Sequence, residues 1–403
     1  MSAATSRRAA VYASLAVAWV VAAWLLARSV VPRDLELPAV DVDAVFGSGF
    51  VARAERYERF LYVNWALSQV AVLGTLAVYA RRGARLARES AAGPIGTGML
   101  LGMLGIALAW LAGLPFSVLA LWWDRRHGLS RVAYVDVVLG GWLALAGAFL
   151  ALTLGLVVVM WLARWLGSWW WLPAALALGS IAAVLVFAEP YLATGLEPPS
   201  DQRLEQSYER LARAEGVDGV TLRVQKVSGD TSQANAYAFG LGPSRRIVVW
   251  DTLLDGRFAD GEVDVVLAHE LGHQASHHIA KAIGWFVLFA LPAALVVMLV
   301  TRRRGGMGDP ASVPPALLVV AFLALAAMPA QNIVSRRMES EADWKALETT
   351  RDPTAARGLF RELAVTSLGD PSPPTWAYVA FATHPTLAQR VAMADAWAQR
   401  EGR

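Results

Sequence analysis

The stretch VVLAHELGHQASHHIA, Val265–Ala280, decides how the chain is read. It holds four of the six histidines and the pattern H-E-x-x-H, from His269 through Glu270 to His273. On a helix, His269 and His273 stand one turn apart on one face, a spacing at which two imidazoles can share one Zn2+. Glu270 lies beside them, placed to take a proton from water at that metal. The preceding apolar run and the acidic Glu262 and Asp264 predict a helix that opens after Asp260. His277 lies two turns beyond His269, about 12 Å by helical rise, too far to share its metal. We read His277 and His278 as helix-surface residues near the membrane interface. A longer zinc-binding extension is excluded, because its positions hold Ala275 and Ile279.

Outward from this stretch the sequence turns apolar. Ala282–Thr301 and Ala316–Val334 are each long enough to cross a hydrocarbon core, which needs about 20 residues. Five further uncharged segments fill the first half: Ala9–Ala27, Phe60–Ala80, one within Ala91–Trp123, Val137–Ala163 and Trp165–Ala188. The first exceeds the ~7–15 residues of a signal-peptide core and is expected to be a retained span. Only 17% of residues are charged, against about 25% in a soluble domain. Trp122, Trp123 and Trp165 sit at segment ends, where aromatic belts form. Gly102, Gly105, Gly140 and Gly141 suit close helix packing in lipid. The net charge of +3 gives no reason to expect a nucleic-acid partner. The absence of cysteine excludes thiolate ligands and cysteine nucleophiles. The expected fold is mainly α, with about seven transmembrane helices and a zinc peptidase domain containing a small β-sheet. Residues 1–190 form a five-span membrane domain, and 191–403 the peptidase domain with two further spans.

Within the second half, Leu204, Tyr208 and Leu211 mark an amphipathic helix. Gly219–Val227 alternates as a strand, and QANAYAFG and RRIVVWD give two more around Gly240, Gly242 and Pro243. Two helices close the chain, around Ala355–Leu368 and from Pro385 onward. A third metal ligand is sought in SRRMESEADWKAL, Ser335–Leu347, after the seventh span. Glu339 and Asp343 share one helical face. Glu339 would complete a His2Glu site for one Zn2+, and Asp343 would accept the spare N–H of a ligand histidine. Glu341 and Glu348 are read as ordinary exposed helix acids.

Four stretches in the same order resemble the zinc-dependent CAAX prenyl proteases, which are multispanning membrane gluzincins, and more distantly the bacterial heat-shock membrane proteases. They are SQANAYAFGLGPSRRIVVWDTLLD (Ser232–Asp255), VLAHELGH (Val266–His273), SRRMESEAD (Ser335–Asp343) and ATHPTLAQR (Ala382–Arg390). RRHGLS, Arg125–Ser130, is weakly similar to a charged loop of that family. The resemblance implies a zinc metalloendopeptidase with Glu339 as third ligand and Asp343 as its supporting aspartate. It implies that Asn235 and Ala236 lie on a substrate-binding edge strand, that His384 donates to the developing oxyanion, and that Arg390 holds a carboxylate. Ala234 departs from the family, which often has Ser there. The implied partners are the bilayer and a peptide or protein substrate, lipidated or membrane-bound. Cleavage near the C-terminus of prenylated proteins is one implied activity. The alternative is broad quality control of membrane proteins, favoured if the source is bacterial, as the Arg-, Ala- and Gly-rich composition suggests. A non-catalytic scaffold or transporter would be favoured by a broken ligand set, and no ligand is missing. Basic residues flanking the spans divide evenly, so the positive-inside rule assigns no orientation. The resemblance implies a catalytic region facing the cytoplasm, and the composition suggests a bacterial cell membrane.

Overall fold

Backbone polar groups in lipid must be satisfied within their own segment, so the apolar runs fold as helices. In the computed structural model, which describes residues 3–88 and 92–402, the first half forms α1 (Ala3–Ala27), α2 (Val42–Phe46), α3 (Ser48–Arg82), α4 (Gly93–Arg126), α5 (Tyr134–Leu166) and α6 (Trp171–Leu192). Ala91, the expected limit of the third apolar segment, lies outside the described residues. The second half follows as β1 (Leu196–Glu197), α7 (Gln202–Glu215), β2 (Thr221–Gln225), β3 (Ala236–Phe239), β4 (Arg246–Trp250) and α8 (Asp260–Ala275). It ends with α9 (His278–Thr301), α10 (Val313–Thr350), α11 (Pro353–Ser367), α12 (Thr375–Phe381) and α13 (Leu387–Arg400). Among the described residues, seven helices are long and apolar enough to cross a membrane: α1, α3, α4, α5, α6, α9 and α10.

The sheet runs β1-β2-β4-β3. β2 and β4 pair in parallel with Leu222 opposite Ile247, and β3 pairs antiparallel to β4 with Ala236 opposite Val249. Ile247, Val248 and Val249 are fully buried in β4, as expected for an inner strand covered on both faces. β3 is left at the edge. The turn between β3 and β4 requires Gly240: its φ is 87°, and a Cβ there would meet the Ser244 carbonyl oxygen at 2.4 Å. The core of this half gathers Leu204 and Leu211 of α7, Leu267 and Leu271 of α8, and Leu347 of α10. A second cluster, including Leu101, Met160, Ala174 and Val297, packs the spans against one another. The loop after α4 docks on the segment leading to β3: Arg131 donates to the Asp230 carbonyl, and Ser232 to that of Leu129.

Two boundaries differ from the sequence-based expectation. The helix bearing the motif ends at Ala275, and His277 adopts a left-handed conformation (φ 54°) before α9 begins at His278. The seventh span and the Glu339 segment are one helix, the 38-residue α10. At 1.5 Å per residue it reaches roughly 57 Å, longer than a hydrocarbon core of about 30 Å. Its C-terminal part therefore lies beyond a single bilayer crossing.

α8 lies close against α10 where Gly272 faces Ala342. A Cβ on Gly272 would meet the Ala342 Cα and carbonyl oxygen at 3.4 Å, ordinary contact with no space to spare. Gly272→Ala is expected to leave the melting temperature close to wild type. Gly272→Val, with two further methyl groups directed at backbone, should cost about 1–3 kcal/mol by overpacking. Thermal unfolding of the purified proteins in detergent checks both.

Candidate active site

α8 supplies two imidazoles and α10 a carboxylate. The Nε2 atoms of His269 and His273 lie 3.1 Å apart. Glu339 Oε2 is 3.2 Å from His269 Nε2, and Glu339 Oε1 is 3.6 Å from His273 Nε2. One donor atom from each residue falls within 4.8 Å of the others. Donors about 2.0–2.1 Å from a tetrahedral centre are themselves about 3.3 Å apart, so this spacing fits a small cation. Glu339 Oε2 is buried and makes no well-aligned hydrogen bond, as befits an oxygen aimed at a metal. Burial opposes charge on His269, but the carboxylates of Asp343 and Glu339 outweigh it and push its pKa up to about 10. The pocket thus favours positive charge where the donors converge. Glu270, beside His269, is buried.

Asp343, one turn beyond Glu339, lies behind His269, its Oδ1 2.9 Å from Nδ1. Arg390 of α13 grips the same carboxylate at both oxygens, Nε to Oδ2 at 2.9 Å and Nη2 to Oδ1 at 2.6 Å. This fork geometry is the strong form of the contact. The other face of the guanidinium lies 4.3 Å from the Phe360 ring centroid. His384, between α12 and α13, points its Nε2 at Glu339 Oε2 from 3.1 Å and is about half-exposed.

Edge strand β3 runs beside α8. Trp250 N–H donates to the Asn235 carbonyl at 3.0 Å. A trans peptide points its carbonyl and N–H to opposite sides, so the Ala236 N–H is directed away from β4, toward the free edge. A cavity of about 210 Å³ adjoins His273 and is lined by Gly240, Leu241, Arg245 and Gln274.

Residues 198–398, which contain this whole arrangement, match Peptidase family M48. The chain belongs to that family. It is similar to the uncharacterized metalloprotease YhfN of Bacillus subtilis (strain 168), 29% identical over 274 residues, covering 64% of this chain and 63% of that one. It is 28% identical over 226 residues to CAAX prenyl protease 1 of Saccharomyces cerevisiae, covering 49% of each. It is 31% identical over 166 residues to a protease HtpX homolog of Ralstonia pickettii (strain 12J), covering 41% of this chain and 56% of that one. The chain thus spans about half to two thirds of the length of these relatives. The crystal structure of S. mikatae Ste24p superposes with a TM-score of 0.70 at 20% identity, covering 95% of this chain and 96% of that one. That likeness establishes the fold. The matched family is a peptidase family, and these relatives are proteases by name.

Within this family fold, two expectations need correction. His278 is not at the surface but 4% exposed, with Nδ1 2.8 Å from His273 Nδ1 and Nε2 3.0 Å from Glu341 Oε2. Glu341 is likewise buried rather than solvated, and also faces Lys281 at 3.6 Å. The break at His277 is the cause, because it turns His278 back toward α8. His277 itself is exposed, as expected.

The sequence reading also missed the residues that hold the His384 segment. Asn332 of α10 donates to the Ala380 carbonyl at 2.7 Å, and Arg336 to those of Tyr378 and Ala382 at 3.1 and 2.6 Å. A signal existed for Asn332, one of two adjacent polar residues, with Gln331, in the span Ala316–Val334.

Arg390→Met should leave Asp343 buried without its cation. Breaking a buried ion pair on one side costs about 3–5 kcal/mol. Denaturant or thermal unfolding of the variant is expected to show a loss of that size, where an exposed ion pair would show almost none.

Proposed function

We propose that this chain is a membrane-embedded zinc endopeptidase that cleaves an extended peptide laid along β3. The observation that carries the reading is the convergence of His269 Nε2, His273 Nε2 and the Glu339 carboxylate beside a buried Glu270. His269, His273 and Glu339 would hold Zn2+, which when bound supplies the Lewis acidity that polarises a peptide carbonyl and acidifies water. Glu270 takes the proton from the attacking water and returns it to the leaving amide nitrogen. His384 donates from Nε2 to the carbonyl oxygen as it gains charge, and its half-exposure leaves it free to turn to a substrate. Asp343 accepts from His269 Nδ1 and fixes its tautomer, while Arg390 holds Asp343 in place.

Asn235 and Ala236 lie on the substrate-binding edge, and Ala236 binds through main chain. The outward Ala236 N–H would donate to a peptide carbonyl, a strand-addition mode that reads backbone more than side chains. Substrate choice then falls to what brings a peptide to the membrane, either a lipid group or a transmembrane segment. The yeast relative's name, CAAX prenyl protease 1, favours prenylated C-termini, and the alternative is broader membrane-protein turnover. Digesting lipidated and unlipidated versions of one peptide, with cut sites mapped by mass spectrometry, separates the two. The proposal includes a five-span membrane domain ending near residue 190, a peptidase domain from 191, and a catalytic side facing the cytoplasm of a bacterial cell membrane. The change of composition after α6 and the family match from residue 198 support that division.

Glu270→Gln should retain one zinc per chain by metal analysis yet lose peptide cleavage by about 10²–10⁴-fold, the usual worth of a general base. His269→Ala and Glu339→Ala should lose the metal itself. Wild-type cleavage by Glu270→Gln would sink the mechanism. Ala236→Pro removes the outward N–H without removing a ladder bond. It should lower kcat/KM by about tenfold, the worth of one hydrogen bond, with zinc content unchanged.

A further inference from the structure

His273 has two ring nitrogens, and only one faces the metal-binding cluster. Nε2 looks toward His269 and Glu339, which leaves Nδ1 against Nδ1 of His278 at 2.8 Å. His278 Nε2 in turn lies 3.0 Å from Glu341 Oε2, and Glu341 also faces Lys281. We propose that His278 and Glu341 are positioning residues for the metal, a buried relay that aims the Nε2 lone pair of His273 at it. The inference rests on the reading of His273 as a metal ligand.

Donor and acceptor chemistry allows one arrangement of a neutral pair. A carboxylate only accepts, so the His278 proton sits on Nε2. Its Nδ1 then carries a lone pair, and the His273 Nδ1–H donates to it. What remains on His273 is an Nε2 lone pair directed at His269 and Glu339, the tautomer a metal needs. The other ligand histidine has its own support, because His269 Nδ1 meets Asp343 directly. Each ligand imidazole is therefore braced through its far nitrogen to a carboxylate on α10, one directly and one through a second imidazole.

The backbone is arranged to make this contact. His278 stands five residues after His273, so on an unbroken helix it would be turned about 140° away and lie about 7.5 Å along the axis. Instead α8 stops at Ala275, and His277 takes φ 54° and ψ 38° with no glycine to ease it. L residues rarely adopt that conformation. The reversal carries the His278 ring back over His273, where it is buried at 4% exposure. An imidazole and a carboxylate withdrawn from water at a helix junction need a compensating role. The competing role is a plain staple between α9 and α10, made by Glu341 with His278 and Lys281.

The experiment uses the full-length protein in detergent, as wild type, His278→Ala, His278→Asn and Glu341→Gln. Zinc affinity is measured by competition with a chromogenic chelator, and the Co2+-loaded proteins are compared by visible absorption. Metal-free thermal unfolding is measured alongside. His278→Ala should bind zinc about 10–100-fold more weakly, the usual effect of removing an outer support, and should shift the Co2+ bands. His278→Asn should recover most of the affinity, because its Oδ1 falls near the lost Nδ1 and accepts the same proton. Glu341→Gln should fall between wild type and His278→Ala. If His278→Ala binds zinc like wild type with unchanged Co2+ bands, the relay is wrong. Equal weakening by Ala and Asn, tracking lost metal-free stability, would also overturn it and leave the staple. A wild-type protein that binds no zinc would instead sink the ligand reading of His273, a result distinct from either.

Discussion

The close approach of α8 to α10 is the constraint on which the site depends. Neither helix carries a complete donor set: α8 has His269 and His273, and α10 has Glu339. The carboxylates that support those histidines, Asp343 and Glu341, also come from α10. Gly272 limits the separation, since a side chain larger than a methyl group there would push against the Ala342 backbone. The sheet enters through the same contact. β3 lies beside α8, so the edge of the sheet is brought to the helix that carries His269 and His273.

Charge favours a cation at the cluster. Two of the three buried acids of α10 have their own partners: Arg390 for Asp343 and Lys281 for Glu341. Among the described residues, Glu339 is paired only with histidines, His269, His273 and His384. A carboxylate withdrawn from water without a permanent cation is costly, by several kcal/mol after relaxation. A metal ion at the convergence point would remove that imbalance. The two paired acids add no net negative charge, so they orient the histidines without quenching the centre.

Much of this was legible before any coordinates. The spans announced themselves by length and lack of charge, and the motif helix by the one-turn spacing of its histidines. Glu339 and Asp343 could be proposed because their four-residue spacing puts them on one face, and the family resemblance singled them out from other acids. What escaped detection has physical reasons. The break at His277 carries no glycine, the usual mark of a left-handed residue, so the helix seemed to run on and His278 to face solvent. Glu341 was misread for the same reason, because its partner was thought to lie elsewhere. Arg336 and Asn332 bind main-chain carbonyls more than 40 positions away, and a carbonyl has no identity in a sequence. The short α12 that they hold was not anticipated.

The continuity of α10 has a bearing on biogenesis. His269 and His273 leave the ribosome well before Glu339, and both crossings of the hairpin, α9 and the first part of α10, are synthesised in the interval. Arg390, which clamps Asp343, comes later still. A growing chain therefore holds two isolated imidazoles while α9 and the first part of α10 are being inserted, and gains its third donor only after the hairpin is complete. The order of residues along the chain thus keeps the donor set incomplete until both crossings have been made.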